Sequence, residues 1–249
     1  MSLFVPRQRY GVEMLDEPGV DAAVARRSLS DVARANALFG GARAVVAELR
    51  DALRECEGGR ATVLDVGTGI GDIPRRARAT LAGYGVALHI TGLEYTETLA
   101  RAAREAGVPP VVGDARALPF ADASIDVVMC SQLLHHFEHE RAVEVLREMH
   151  RVARRRVIVS DLRRSWIAAA GIWLASFPLR FHPVSRHDGV VSVLRGFRAH
   201  ELRALAAGAS GATPAVRNRL GFRVTASWSP NHPPKPYINA MIATHKEHA

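Results

Sequence analysis

Lysine is almost absent from this chain of 249 residues. Lys235 and Lys246 stand alone, so nearly all of the 33 basic residues are arginine. Cysteine is equally scarce. Cys56 and Cys130 are too few for a disulfide framework, and Cys130, ending an apolar run, reads as a buried thiol in a reducing compartment. Aromatic residues make up only 6% and do not interleave with the basic runs, so the net charge of +8 reads as a solvated arginine-rich surface and no nucleic-acid partner is expected. No apolar run reaches the roughly 18–20 residues that cross a bilayer. The nearest, "SWIAAAGIWLASFPLRF", is interrupted by Gly171 and Pro178, so no stable membrane insertion is expected. The opening "MSLFVPRQRYGVEM" has Pro6 and charges where an export signal needs an apolar stretch, and the expected location is the cytoplasm.

What is present suits one α/β domain with additions: 48% hydrophobic and 23% charged residues. Residues 21–56 carry apolar residues at helical spacing, broken at Gly40 and Gly41. Almost wholly apolar strands then alternate with helices: "ATVLDVG", "VALHITGLE", "PPVVGD", "SIDVVMCS" and "RVIVSDL". That rhythm predicts a doubly wound, Rossmann-like, mostly parallel sheet covered on both faces. The densest basic cluster, Arg154 to Arg156 in "HRVARRRV", reads as the cationic end of the helix before the fifth strand. Beyond Leu162 comes an apolar segment, then a loop "HPVSRHDGVVSVLRG", then a helix "RAHELRALAAGA". The segments "GFRVTASWS" and "INAMIATHK" read as a terminal antiparallel pair joined by "SPNHPPKPY". The expected organisation is an N-terminal helical cap at 1–57 and a catalytic domain at 58–249, with a lid inserted at about 163–197.

The stretch "TVLDVGTGIGDIP" carries the chemistry. Three alternating glycines follow a strand, as in phosphate-binding turns, but the dinucleotide fingerprint fails: its third glycine would fall on Asp72 or Pro74. Asp65 and Asp72 would repel a pyrophosphate at the helix start. The loop suits a ligand that lets the backbone come close yet carries positive charge and no phosphate. S-adenosylmethionine has an ammonium, a sulfonium and no phosphate. Glu94 and Asp114 end the next two strands, where carboxylates can accept from a ribose diol and an adenine amine.

In "VLDVGTGIGD", "GLEY", "GDARALPFADASIDVVMCSQLLHHF" and "LREMHRVARRRVIVSD" the chain resembles the class I S-adenosylmethionine-dependent methyltransferases over about Thr62 to Asp161. The closest branch is the small-molecule one that includes the ubiquinone/menaquinone-biosynthesis type. More loosely, "RHDGVVSVLRGF" is similar to methyltransferases of bacterial secondary metabolism. The resemblance implies a seven-stranded sheet whose last strand is antiparallel. It implies S-adenosyl-L-methionine held by Asp65, Gly67, Thr68, Gly69, Gly71, Glu94, Tyr95, Asp114, Ala115, Ser131 and Gln132.

For the acceptor, His135 and His136 follow the fourth strand and Asp161 ends the fifth, a set suited to a general base with its orienting carboxylate. In-line positioning without an essential base is the alternative. His139 stands four residues from His135, but no further ligand set accompanies the pair and no metal is expected. Trp166, Trp173, Phe177 and His187 are the expected walls of an apolar substrate pocket, with core packing or a membrane-surface anchor as the other readings of that segment. The predicted activity is methylation of a small, apolar acceptor such as a polyketide, quinone or aromatic compound, on oxygen ahead of carbon. RNA modification, or a methyltransferase fold that only binds or does other chemistry, are the alternatives. The oligomeric state is left open.

Overall fold

The computed structural model describes residues 5–17, 19–54 and 59–230. Two helices come first, α1 (Ala22–Leu38) and α2 (Gly41–Leu53), separated at Gly40, whose φ of +83° ends one and starts the other. The alternating part follows: β1 (Arg60–Val66), α3 (Asp72–Ala82), β2 (Ala87–Glu94), α4 (Glu97–Glu105), β3 (Pro110–Val112), β4 (Ile125–Ser131), α5 (His139–Val152) and β5 (Ala153–Leu162). Then come α6 (Trp166–Ser176), α7 (Pro183–Arg195), α8 (Ala199–Ser210), β6 (Ala215–Arg219) and β7 (Arg223–Trp228). The strands form one sheet of order β3-β2-β1-β4-β5-β7-β6, parallel except that β7 runs antiparallel to both β5 and β6. This is a doubly wound, Rossmann-like architecture. Among the described residues, no helix is long and apolar enough to cross a membrane.

The apolar strands are explained by burial on both faces. Leu64, Val66, Val128 and Val159 pack under α5 and α8 with Met149 and Leu202. Val63, Val127, Met129 and Ile158 pack under α2 and α3 with Leu49 and Leu81. Cys130 is a buried free thiol in the first of these layers.

Three segments differ from the sequence reading. The antiparallel pair is a hairpin of β6 and β7; the segment "INAMIATHK" lies outside the described residues. The stretch 183–195, expected as a loop, is α7. His182 caps it by accepting the Val184 N–H, Pro183 opens it, and Asp188 and Val193 are buried along it. Arg154 to Arg156 lie in β5 rather than at a helix end, because the strand starts at Ala153; Arg154 and Arg155 are paired with Asp126 of β4.

The hairpin is fastened from α2. Buried Glu48 accepts from Arg217 (3.0 Å), Arg219 (2.6 Å), the Thr225 hydroxyl (2.6 Å) and the Ser227 hydroxyl (3.0 Å). Burial opposes its ionisation, but these donors hold its pKa below the ordinary value. Nearby, Gly221 has φ +72°, and a Cβ on it would stand 1.8 Å from the Phe39 carbonyl oxygen. Gly221→Ala is therefore expected to destabilise the fold by at least about 2 kcal/mol. Gly211→Ala, at φ +67° but in open space, should cost only about 1 kcal/mol. Urea denaturation of both variants checks the difference; equal losses would mean that the close backbone contact carries no weight.

Candidate active site

The strand order reverses between β1 and β4, and the crevice beyond their carboxyl ends is where open α/β sheets bind ligands. The loop after β1 fills that crevice. Gly67, Gly69 and Gly71 take φ of +71°, +57° and +71°, values that favour glycine. The Gly67 and Thr68 N–H groups donate to Leu93 O, at 2.9 and 3.2 Å, which ties the loop to β2. The Gly69 N–H donates to the Glu94 carboxylate, so Glu94 is fixed against the loop. A Cβ on Gly69 would meet nothing within 4 Å: the loop faces open space there.

Three carboxylates crowd this loop. Asp65 is buried; its Oδ2 accepts from the Thr68 hydroxyl at 2.8 Å, while Oδ1 is buried without a partner. Burial raises its pKa to about 7, with repulsion from Asp72 and Glu94 adding to the rise. Burial also raises Asp72, which accepts from Asn36 Nδ2 at 3.1 Å, and Glu94. A cationic ligand free of phosphate fits this donor set, since it would match the orphaned Asp65 oxygen and relieve the repulsion.

Two cavities open on this edge. One, of about 360 Å³, is lined by Gly67, Glu94, Tyr95, Asp114, Ala115 and Leu133, together with Arg116, Phe137 and Arg141. Five of the sequence-predicted cofactor residues meet there. Asp114 is held by Arg116, 2.6 Å from Nη2, which keeps its pKa below the ordinary range. The other six, Asp65, Thr68, Gly69, Gly71, Ser131 and Gln132, do not line this cavity. Thr68 buttresses Asp65, Gly71 caps α3, and the Ser131 hydroxyl is buried without a partner.

The other cavity, of about 320 Å³, is enclosed by α1, α6, α7 and the β6–β7 turn. Its walls are apolar (Phe39, Ile172, Val193 and Phe222 among them), with Gln132 and Arg223 the polar exceptions. Gln132 sits at φ +55°, uncommon for a residue with a side chain. Its N–H donates to Ser160 O at 2.8 Å and its amide Nε2 donates to Asn36 Oδ1 at 2.5 Å. Gln132 lines this cavity and the next residue, Leu133, lines the other.

The structure brings His135, His136 and Asp161 together, and none of the three lines either cavity. His135 Nδ1 lies 2.7 Å from Asp161 Oδ1, and Nε2 lies 3.6 Å from Glu13 Oε1. Burial alone would lower the imidazole pKa; Asp161 and Glu13 override it and hold it at about 9. The two carboxylates thus favour the protonated ring over the free base. Despite burial, Glu13 and Asp161 are both held below their ordinary values by these contacts. Glu13 also accepts from Ser192 (2.8 Å) and pairs with Arg195 (3.1 Å), while Asp188 accepts the Met14 and Leu15 N–H groups at 2.8 and 3.0 Å. His136 Nε2 lies 4.0 Å from Glu13 Oε2. Glu13, His135 and His136 form the one candidate metal cluster among the described residues; His139 is not part of it. Arg195 and the imidazolium already neutralise Glu13 there.

The expected pocket walls are also corrected. Trp166, Trp173 and Phe177, the last just past the end of α6, share its outward face, and the His187 side chain is 42% exposed; none of the four lines either of these cavities. At one hundred degrees per residue these aromatics fall opposite Ala168, Gly171 and Ile172, which form the wall instead. Arg9 stacks on Trp166 and Arg186 on Phe177. The sequence reading missed Glu13, Asn36, Leu133 and Arg223. Only Arg223 carried a local signal, a charge opening an apolar strand.

Residues 64–159 match the family model described as a methyltransferase domain. No curated protein sequence matches the chain. Similar solved structures include a magnesium protoporphyrin IX methyltransferase from Synechocystis with bound SAH, at 16% identity and TM-score 0.53 over 86% of this chain and 90% of that one. A SAM-dependent methyltransferase from Thermotoga maritima, with histamine as its suggested acceptor, matches at 16% identity and TM-score 0.53, over 84% of this chain and 99% of that one. A candidate O-methyltransferase from Nostoc punctiforme matches at 16% identity and TM-score 0.55, over 89% of this chain and 64% of that one. At such identities the likeness is one of fold.

Proposed function

We propose that the chain, whose residues 64–159 match a methyltransferase-domain model, is a class I methyltransferase that binds S-adenosylmethionine over the Gly67–Gly71 loop and methylates a small, largely apolar acceptor held in the 320 Å³ cavity. The observation that carries this reading is that consecutive residues, Gln132 and Leu133, line the two cavities. When bound, the cofactor supplies an electrophilic methyl group on a sulfonium.

Each residue has a task in this reading. Asp65 and Glu94 bind and orient the cofactor, Asp65 through its unpartnered oxygen and Glu94 from its fixed place on the loop. Asp114 and Ala115 border the adenine end, with Tyr95 at the rim. Gln132, braced by Asn36, orients the acceptor, and a hydroxyl is the group its amide holds best, which favours O-methylation over C-methylation. The apolar walls exclude water. His135, His136 and Asp161 act as positioning residues that fix the N-terminal segment over the sheet edge, and transfer relies on in-line placement.

The charge on Asp65 gives the test. Its pKa of about 7 means that a cationic ligand must meet it ionised, so binding releases a proton below neutrality. S-adenosylmethionine affinity is expected to rise roughly tenfold from pH 6 to pH 8 and to level off above. Asp65→Asn should bind weakly at every pH, with a flat profile. Calorimetry across pH measures both; wild-type protein that ignores S-adenosylmethionine throughout would end the reading.

A further inference from the structure

We propose that Arg223 recognises an anionic oxygen of the acceptor, so that the molecule taken into the apolar cavity carries a carboxylate or an ionised hydroxyl on an otherwise apolar frame; this rests on reading that cavity as the acceptor site. Arg223 opens β7 opposite Leu162 of β5, and both residues line the cavity. The side chain is only 3% exposed. Its Nη2 donates to Asn36 Oδ1 over a long 3.4 Å, while Nε and Nη1 are buried with no partner.

A guanidinium carries five donors in a rigid fork and does not shed its charge at neutral pH. Burial lowers its pKa only to about 10. A buried charge whose donors go unmatched is strongly unfavourable unless something else supplies the acceptors. The carboxylates nearest in charge are committed elsewhere. Asp161 is bound to His135 and to the Leu162 N–H (2.7 Å), and Asp72 to Asn36. The walls beside Arg223, from Phe39, Ile172, Val193 and Phe222, carry no side-chain acceptor. Gln132, the other polar wall residue, gives its amide nitrogen to the same Asn36 oxygen that Arg223 reaches. The fork therefore lacks an acceptor on the side that borders the cavity, and an oxyanion is the ligand group that completes it.

The test uses a rigid pair of probes, 2-naphthoate and the uncharged 2-naphthamide, titrated into the full-length protein at pH 7.5. The wild type is expected to bind the acid at least about tenfold more tightly than the amide. Arg223→Gln should lose that preference while its S-adenosylmethionine affinity stays within about twofold. Arg223→Lys, which keeps a charge, should retain part of the preference, and thermal melting confirms that each variant is folded. Titration with 2-naphthol separates the two sources of the oxyanion. Affinity climbing as the naphthol ionises supports a phenolate-type acceptor, whereas affinity flat with pH supports a carboxylate. Equal wild-type affinity for acid and amide, or no binding of either by protein that still binds S-adenosylmethionine, overturns the proposal and leaves the methyltransferase reading standing. A tenfold loss of S-adenosylmethionine affinity in Arg223→Gln, with the acid preference intact, overturns it too, because the arginine then serves the cofactor. Wild-type protein that binds no S-adenosylmethionine removes the underlying reading instead.

Discussion

His135→Ala is expected to lower the stability of the folded chain by about 3–5 kcal/mol at pH 7, the usual consequence of breaking a buried ion pair from one side. The variant would leave Asp161 buried without its imidazolium 2.7 Å away, and Glu13 without one of its partners. The loss has a pH signature. The folded-state pKa of about 9 stands above the usual 6.5, so the stabilisation is complete below about pH 6.5 and fades as pH rises through 9. Glu13 and Asp161 are shifted downward, so their share is present above ordinary carboxylate pKa values and is lost as pH falls through the lower folded values. Denaturation of wild type and variant from pH 6 to pH 10 should show the gap between them narrowing by about 3 kcal/mol toward the alkaline end. A gap that is small at pH 7, or constant to pH 10, would contradict the ion-pair account.

Gly67→Val is expected to weaken S-adenosylmethionine binding by at least about 100-fold. Two effects combine. A β-branched residue at φ +71° is strained by about 1–2 kcal/mol. The new Cβ would also stand 2.8 Å from Leu133 Cδ1 and push the side chain that lines the first cavity. Gly69→Ala separates ligand contact from the clash with Leu133. Its Cβ meets no protein atom within 4 Å, so stability should fall only by the roughly 1 kcal/mol of a left-handed alanine, while cofactor affinity falls further because the methyl group takes up space over the loop. Calorimetry paired with thermal melting checks both. Unchanged affinity in Gly67→Val would remove the loop from the binding site.

The sheet was legible because its strands are buried on both faces and therefore carry uninterrupted apolar runs, as in "TVLDV" and "DVVMCS". The glycine loop and Glu94 were legible because they lie at fixed places on those strands. α7 was not, since Gly189 and its neighbouring valines hide a helix that is held by capping and by contacts from Glu13 and Asp31. The direction of the aromatics on α6 was not legible either. A helix of mean hydropathy that high shows no polar face to say which side is in. The role of His135 depended on Glu13, which reaches it from the N-terminal segment through tertiary packing alone.

The partition between the cavities has a consequence for how such a protein can change its substrate over generations. Every residue bordering the 360 Å³ cavity lies in one unbroken part of the chain, from Gly67 to Arg141. Apart from Gln132, those bordering the 320 Å³ cavity lie outside it, in α1 and Phe39 just after it, in the stretch from Leu162 to Val193, and in the turn before β7 with Arg223, the first residue of that strand. Under the function proposed above, substitutions in the second set reshape the acceptor site and leave the residues that line the cofactor site unchanged. A graft of residues 162–196 between two such chains should carry a preference for acceptors with it.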